Sequence, residues 1–134
     1  MQTVPTLQQV PLQHVVLAIL SLAAERGQTR MAFVDFFRAF ADLKDEFGDT
    51  LPPMVFTRTV GSAAYSKRLD DALGSIGSSI DLRLPRHLEL RQDIAHRHLR
   101  WLREKYGQER IDNLQPIVKR FIECLTPREN VVVQ

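Results

Sequence analysis

The chain has 134 residues, of which 44% are apolar and 25% are charged, a composition that fits one globular domain and excludes disorder of the whole chain. No apolar run reaches the roughly 18 residues that a membrane-spanning helix requires, and the first residues lack the basic start of a secretory signal. The single cysteine, Cys124, excludes an internal disulfide. We therefore expect a cytoplasmic protein with no membrane partner.

Positive charge is concentrated in the second half of the chain. The net charge is +2, yet residues 83–110 hold eight Lys or Arg, four Asp or Glu and three His. A patch of this kind attracts a polyanion such as RNA, but it is equally compatible with an ordinary solvated helix face. Because 14 of the 18 basic residues are arginine, whose guanidinium forms bidentate contacts, the composition leans towards phosphate or carboxylate recognition.

The first two predicted helices lie in the N-terminal third of the chain. Pro11 suits the first turn of a helix, apolar residues then recur every three or four positions, and Gly27 ends the pattern. A second helix is predicted from Thr29, as the N-cap, to Gly48. Its phenylalanine stripe is interpreted as a core face, and the short loop between the two helices predicts an antiparallel hairpin. The stripe contains Phe33, Phe36, Phe37, Phe40 and Phe47.

The middle of the chain is predicted to be irregular at first and then helical. Pro52 and Pro53 forbid helix at that point. Residues 63–76 predict a third helix, since their apolar positions recur at helical spacing. Residues 80–84 alternate between apolar and polar, which indicates a short strand or an extended link.

Two further helices are predicted in the C-terminal half. The fourth begins at Pro85 or Arg86 and ends at Tyr106, and the last covers residues 108–125, where Pro116 is expected to kink it or to mark a restart. The prediction is therefore an all-α, single-domain bundle of about five helices over residues 11–125. An N-terminal extension (1–10) and a C-terminal tail (126–134) flank this domain.

The most informative local pattern is Arg91, four intervening residues and His96, within the string Leu-Arg-Gln-Asp-Ile-Ala-His at residues 90–96. This pattern, with an amphipathic helix after it, resembles the HEPN superfamily, small all-helical bacterial domains of toxin–antitoxin and phage-defence systems. Arg91 and His96 match the two signature positions, Gln92 stands where an Asn is usual, and the likeness covers residues 86–125. The resemblance implies a metal-independent endoribonuclease whose site forms across a homodimer, with a cognate antitoxin as a further partner.

The residue types in this motif suit RNA cleavage without a metal. An imidazole acts as a base or an acid near neutral pH, and a guanidinium holds a phosphate and stabilises its developing charge. His96 and Arg91 are therefore the candidate catalytic pair, and no cofactor is expected. On a regular helix the two side chains diverge by about 140°, so their convergence requires a second copy or a helix that begins between them. The candidate substrate-binding residues are Gln92, Arg97, His98, Arg100 and Arg103.

Two other interpretations of the motif remain open, namely an inactive relative of the superfamily and an unrelated solvated helix surface. A metal site is not predicted. His96 and His98 are two residues apart, whereas zinc-binding histidine pairs on helices are usually four apart. The remaining candidate ligands, His87 and Cys124, do not complete a recognisable spacing.

A winged-helix module is the competing interpretation of the fold. Residues 65–76 would form its recognition helix and residues 80–84 and 88–91 its wing strands, with the turn at Pro85-Arg86. Its function would be to dock DNA or a partner protein without catalysis, and Asp70 and Asp71 on the recognition helix disfavour DNA. The two interpretations differ over residues 86–96, which are helical in the first and largely strand in the second.

Overall fold

The structure, a computed structural model, describes residues 7, 9–52, 54, 56, 65–76, 81–83 and 87–125, with residues 81–83 described by their backbone alone. The chain is mostly helical, which confirms the predicted helical bundle. No helix in these ranges is both long enough and apolar enough to cross a membrane. The elements in chain order are α1 (Leu12–Glu25), β1 (Arg30–Ala32), α2 (Phe33–Phe47), α3 (Lys67–Ser75), β2 (Asp81–Arg83), β3 (His87–Glu89), α4 (Gln92–Tyr106), α5 (Gln108–Asp112) and α6 (Gln115–Leu125).

Helix α1 runs through the centre of the fold. Every residue from 15 to 24 is buried, because α1 is apolar on all sides and a helix of that kind is stable only inside a core. Helices α3, α4 and α6 pack around it. Pro11 immediately precedes α1, and the chain turns at Gly27, whose φ of 98° favours glycine, so both predicted boundary signals are confirmed.

The phenylalanine stripe of α2 packs on α6. The rings of Phe36 and Phe40 lie 4.8 Å apart, and Phe121 of α6 lies 6.3 Å and 5.3 Å from them, measured between ring centroids. All three side chains are fully buried, which confirms that the stripe is a core face. The predicted hairpin of the first two helices does not describe this packing, because β1 separates α1 from α2 and α2 packs chiefly against α6.

A small antiparallel sheet has the strand order β1–β3–β2. Leu88 of β3 is fully buried and pairs with Met31 on one side and with Leu82 on the other. The prediction that Thr29 caps the second helix is wrong, because pairing with β3 keeps residues 30–32 extended and Ala32 is the N-cap of α2. The backbone carbonyl of Thr29 instead accepts a hydrogen bond from the Leu90 amide at 2.8 Å.

Helix α3 begins later than predicted. Ser66 is in the extended region at φ −131° and ψ 120°, and its Oγ accepts a hydrogen bond from the Leu69 amide at 3.2 Å, which makes Ser66 the N-cap. Tyr65 therefore lies outside the helix, and the predicted start at residues 63–64 falls outside the described ranges.

The predicted start of the fourth helix at Pro85 or Arg86 is wrong, because residues 87–89 form the central strand of the sheet and α4 begins only at Gln92. Strand pairing on both edges of β3 holds this segment extended. A helix at 67–75 followed by antiparallel strands at 81–83 and 87–89 matches the element order of the winged-helix interpretation. The turn that it places at Pro85-Arg86 lies outside the described residues.

The predicted last helix is divided in two. Helix α5 ends at Asp112 and α6 begins at Gln115, so Pro116 occupies the first turn of a new helix, and the predicted restart is confirmed. Gly107 separates α4 from α5, and its φ of 94° gives the sharp change of direction. Ile117, Val118 and Phe121 then direct the buried face of α6 into the core.

Candidate nucleic-acid interface

The position of α4 follows from the residues that precede it. The Leu90 side chain is buried, and its backbone amide donates a hydrogen bond to the Thr29 carbonyl. The chain therefore leaves the sheet in an extended conformation. Arg91 continues it at φ −71° and ψ 152°, and α4 starts at the next residue. The side-chain amide of Gln92 donates a hydrogen bond at 2.8 Å to the carbonyl of Ala24, near the end of α1. Gln92, a predicted substrate-binding residue, thus ties two helices together.

Helix α4 has one buried face and one solvent face. Ala95, Leu99 and Leu102 are buried against the core, at the three- and four-residue spacing of one helix side. The opposite side is exposed at His96, Arg97 and Arg100 and also at Trp101, Glu104 and Lys105. Three of the predicted site residues therefore share the exposed face of a single helix.

Arg91 and His96 contact different carboxylates. The Arg91 guanidinium pairs with Asp93 at 3.0 Å, and Nδ1 of His96 lies 3.3 Å from a carboxylate oxygen of Glu25 on α1. Helix α4 does begin between the two residues, which is one of the two conditions for their convergence. Within one chain the structure nevertheless does not join them. Both side chains remain open to solvent, at 64% and 70% exposure.

The ion pair between Arg91 and Asp93 at the start of α4 also lowers the pKa of Asp93. Partial desolvation raises the pKa of Asp93, but the hydrogen bond and the positive charge of Arg91 outweigh it and hold the pKa below its ordinary value. Asp93 is therefore a carboxylate near neutral pH and places a negative charge beside Arg91. A phosphate that approached Arg91 would have to compete with this neighbour.

An open pocket of about 360 Å³ lies beside the C-terminal half of α4. Its lining combines two guanidinium groups and an imidazole with one carboxylate and one amide, from His96, Arg100, Arg103, Glu104 and Gln108. Arg103 is partly committed, because it pairs with Asp112 of α5 at 3.0 Å. His98, the remaining predicted substrate-binding residue, is half-buried and is not among the lining residues.

Two arginines of the exposed face lack an acidic partner among the described residues. In the parts of the chain that the structure describes, Arg97 and Arg100 form no ion pair with a carboxylate. Both side chains are exposed. A guanidinium without an intramolecular partner keeps all its donors for a phosphate or carboxylate, which makes these two residues the strongest anion-binding groups of the face.

An aromatic cluster adjoins these arginines, and the sequence interpretation did not include it in the site. Trp101 is 44% exposed, a large fraction for an aromatic side chain. The ring of His14 on α1 contacts it edge-on, at 5.1 Å between centroids and an interplanar angle of 82°. The Lys105 ammonium lies 5.9 Å from the Trp101 ring and 5.7 Å from the Tyr106 ring. The four-residue spacing of Arg97, Trp101 and Lys105 is the signal that could have revealed this surface.

His14 and Tyr106 join α1 to the end of α4. Nδ1 of His14 and the hydroxyl of Tyr106 share a hydrogen bond. Burial lowers the pKa of His14 and the positive charge of Lys105 lowers it further, so a neutral imidazole is favoured. Burial raises the pKa of Tyr106, with an opposing effect of Arg110, and the hydroxyl therefore keeps its proton. Together they provide a neutral support behind the Trp101 ring.

The exposed face of α3 has a different electrostatic character. Lys67 pairs with Asp71 at 3.2 Å, and the Tyr65 hydroxyl donates to Asp70 at 2.8 Å. The charges of Lys67, Arg68, Asp70 and Asp71 cancel. Helix α3 therefore offers little attraction for a phosphate backbone.

Among the described residues, no group of three His, Cys, Asp or Glu side chains is placed to hold a metal ion. Comparison with family models, with curated proteins and with solved structures gives no match to this chain.

Proposed function

We propose that this protein binds RNA on the exposed face of α4. The observation that carries the proposal is the pair of exposed arginines, Arg97 and Arg100, which form no ion pair in the described part of the chain. Arg100 also lines the open pocket, together with His96 and Arg103. Guanidinium groups bind phosphate oxygens in a bidentate manner, and several of them along one helix face can follow a backbone. Helix α4 carries four Lys or Arg against two Asp or Glu, so its net charge favours a polyanion.

The charge distribution also supports α4 over α3 as the binding helix. The element order is that of the winged-helix alternative, in which α3 would be the recognition helix. The carboxylates of Asp70 and Asp71 lie on α3, and phosphates near them would be repelled. The proposal therefore combines a winged-helix-like frame with a nucleic-acid surface on the helix that follows the sheet.

The binding proposal is tested with a fluorescently labelled single-stranded RNA and the full chain, by anisotropy over a series of salt concentrations. The Arg97→Gln, Arg100→Gln double variant is expected to bind at least about tenfold more weakly. Its slope of log K against log salt should fall by about 1.4, because two phosphate contacts are lost. The matched control is the Arg30→Gln, Arg68→Gln double variant, which removes the same number of positive charges at exposed arginines of β1 and α3, outside the surface.

Two results would contradict the proposal. The first is the absence of measurable RNA binding by the wild-type chain at low salt. The second is an equal loss of affinity in the Arg30→Gln, Arg68→Gln control, which would show that binding depends on total charge and not on the face of α4.

A second candidate function is cleavage of the bound RNA, as the HEPN resemblance implies. The exposure of both Arg91 and His96, and the start of α4 between them, favour it. Since each residue has its own carboxylate in one chain, this proposal needs a homodimer in which His96 of one copy and Arg91 of the other share a phosphate. His96 then either takes the proton of the attacking 2′-hydroxyl or gives a proton to the leaving oxygen, while Arg91 holds the phosphate. The toxin–antitoxin or phage-defence setting, with an antitoxin partner, belongs to the same proposal.

Cleavage is tested by incubating RNA with the wild type, His96→Ala and Arg91→Ala in EDTA, while light scattering gives the molar mass. The wild type is expected to cleave as a dimer, and each single variant to lose at least about a hundredfold in rate. Mixing the two inactive variants should restore part of the activity if the site is shared between copies. Equal cleavage by wild type and His96→Ala, or none by either, would rule out the catalytic role.

A further inference from the structure

Three side chains with complementary properties follow one another along the exposed face of α4. Arg97, Trp101 and Lys105 are four residues apart, so they lie on one side of the helix at steps of about 6 Å along its axis. An aromatic ring with a cation on either side is the arrangement that proteins use to stack a base while holding its phosphates. We infer that Trp101 stacks on an unpaired base of the RNA, and this inference rests on the proposed RNA binding.

The surroundings of Trp101 hold its ring in place without covering it. His14 contacts the ring edge-on from α1, and His14 is itself held by the Tyr106 hydroxyl. Trp101 nevertheless remains 44% exposed, one of the three large hydrophobic side chains that are exposed in the described part of the chain. A ring that is already positioned loses little conformational freedom when a base stacks on it, which favours binding.

Lys105 is the third residue of this surface, and its ammonium group can move from the Trp101 ring to a phosphate. Its ammonium lies 5.9 Å from the Trp101 ring, a cation–π contact that is weak when it is exposed to water. When a base takes its place on the ring, the flexible side chain of Lys105 can carry the ammonium to a neighbouring phosphate. Arg97, one helical turn before Trp101, is placed to hold the phosphate on the other side.

An exposed Trp101 ring selects single-stranded RNA over duplex RNA. In a duplex the bases stack on each other, and proteins contact it mainly through its shape and backbone. The ring of Trp101 can therefore contact a base face only where the strand is unpaired. Arg97 and Lys105 can bind the phosphates of single-stranded and of duplex RNA. A higher affinity for single strands therefore measures the contribution of the Trp101 ring.

The experiment uses Trp101 as its own reporter, since it is the only tryptophan of the chain. The full-length protein is titrated with a short single-stranded RNA, an abasic RNA of equal length and charge, and the matching duplex. Intrinsic fluorescence follows the ring, and the anisotropy of a label on the RNA follows binding. We expect quenching only with the single strand that carries bases, and about tenfold tighter binding of that RNA than of the abasic one.

Two variants separate stacking from folding. Trp101→Leu should bind the single strand about tenfold more weakly and leave the affinity for abasic RNA unchanged, while Trp101→Phe should recover most of the loss because it keeps an aromatic face. If the wild type binds base-carrying and abasic RNA equally, or binds without quenching, the stacking inference is overturned and the proposed RNA binding stands. If no RNA binds at all, the proposed function and the inference both fail.

Discussion

His14 shows how one partly buried ring links ionisation to stability. Its folded pKa lies below the ordinary value of 6.5, because burial and then the charge of Lys105 disfavour the imidazolium ion. As the pH falls, the unfolded chain therefore takes up this proton first. Stability contributed by neutral His14 is fully present above pH 6.5 and is lost as the pH falls through the folded pKa.

We predict that the urea midpoint of the wild type falls by more than that of His14→Asn when the pH is lowered from about 7.5 to about 5. Asn offers a side-chain oxygen to the Tyr106 hydroxyl but does not titrate, so the difference between the two proteins isolates His14. The measurement is urea unfolding followed by circular dichroism at both pH values. Parallel declines in wild type and variant would contradict the prediction.

The motif at residues 90–96 has more than one interpretation because its polar side chains make different contacts. Gln92 and His96 are both polar, yet Gln92 is bonded to the Ala24 carbonyl whereas His96 reaches the pocket and Glu25. Neither contact is visible in the spacing of the motif. A polar residue next to Arg91 could serve equally well as a contact between helices and as a ligand to RNA.

At the scale of the elements, Gly107 determines how α4 is followed by α5. Its φ of 94° and ψ of 140° lie in a region that residues with a Cβ atom rarely adopt. A Cβ built at this position would meet nothing within 4 Å, so the cost of a substitution is confined to the backbone. Helix α5 carries Asp112, the partner of Arg103 in the pocket, and depends on this change of direction.

We predict that Gly107→Ala destabilises the protein by about 1–3 kcal/mol. Gly74→Ala in α3 is the matched control. That position is helical and equally open, so alanine should stabilise it by up to about 1 kcal/mol. Chemical denaturation of both variants measures the two free energies of unfolding. A neutral Gly107→Ala would show that the turn adapts to alanine.

The local sequence pattern indicates only part of the small sheet. The alternation at residues 80–84 corresponds to β2, whereas β1 and β3 have three residues each, too few for an alternating pattern to stand out from a helical one. Residues 87–89 lead directly into the helical pattern of α4, which begins at Gln92. Because the apolar spacing runs on across this boundary, the sequence predicts a single helix from residue 85 or 86. The strand exists because β1 and β2 supply hydrogen-bond partners on both sides.

For the whole molecule, the aromatic contact between α2 and α6 connects the N-terminal half of the chain with the last helix of the described fold. Phe121 is fully buried against Phe36 and Phe40, and α6 also packs on the central helix α1. Removing its ring would leave a cavity that rigid helices on several sides cannot close. The loss of packing at Phe121 would therefore destabilise the entire domain and not only its C-terminal helix.

We predict that Phe121→Ala lowers the free energy of unfolding by about 3–5 kcal/mol, a large fraction of the total stability of a domain of this size. Val34→Ala is the control, since Val34 lies on α2 but is 49% exposed and its truncation should change stability by less than about 0.5 kcal/mol. Urea unfolding monitored by circular dichroism measures both values. Similar losses in the two variants would contradict the assigned core.

Much of the helical framework was accessible from the order of the residues. Apolar positions at helical spacing indicated α1, α2, α4 and α6, and the phenylalanine stripe indicated its own burial, because amphipathic periodicity is a local property of the chain. The restart at Pro116 was likewise local, since proline lacks the amide that a continuous helix needs. The basic character of residues 83–110 was evident from composition alone.

The tertiary structure decided which of these residues form a surface and which are committed elsewhere. The carboxylate beside His96 comes from Glu25, 71 residues away, and the support behind Trp101 comes from His14 on another helix. Strand β3 likewise needed a pairing partner on each of its edges, and one of them, β1, lies far earlier in the chain. Contacts between distant segments depend on how complete elements pack, and no spacing within a short motif encodes them.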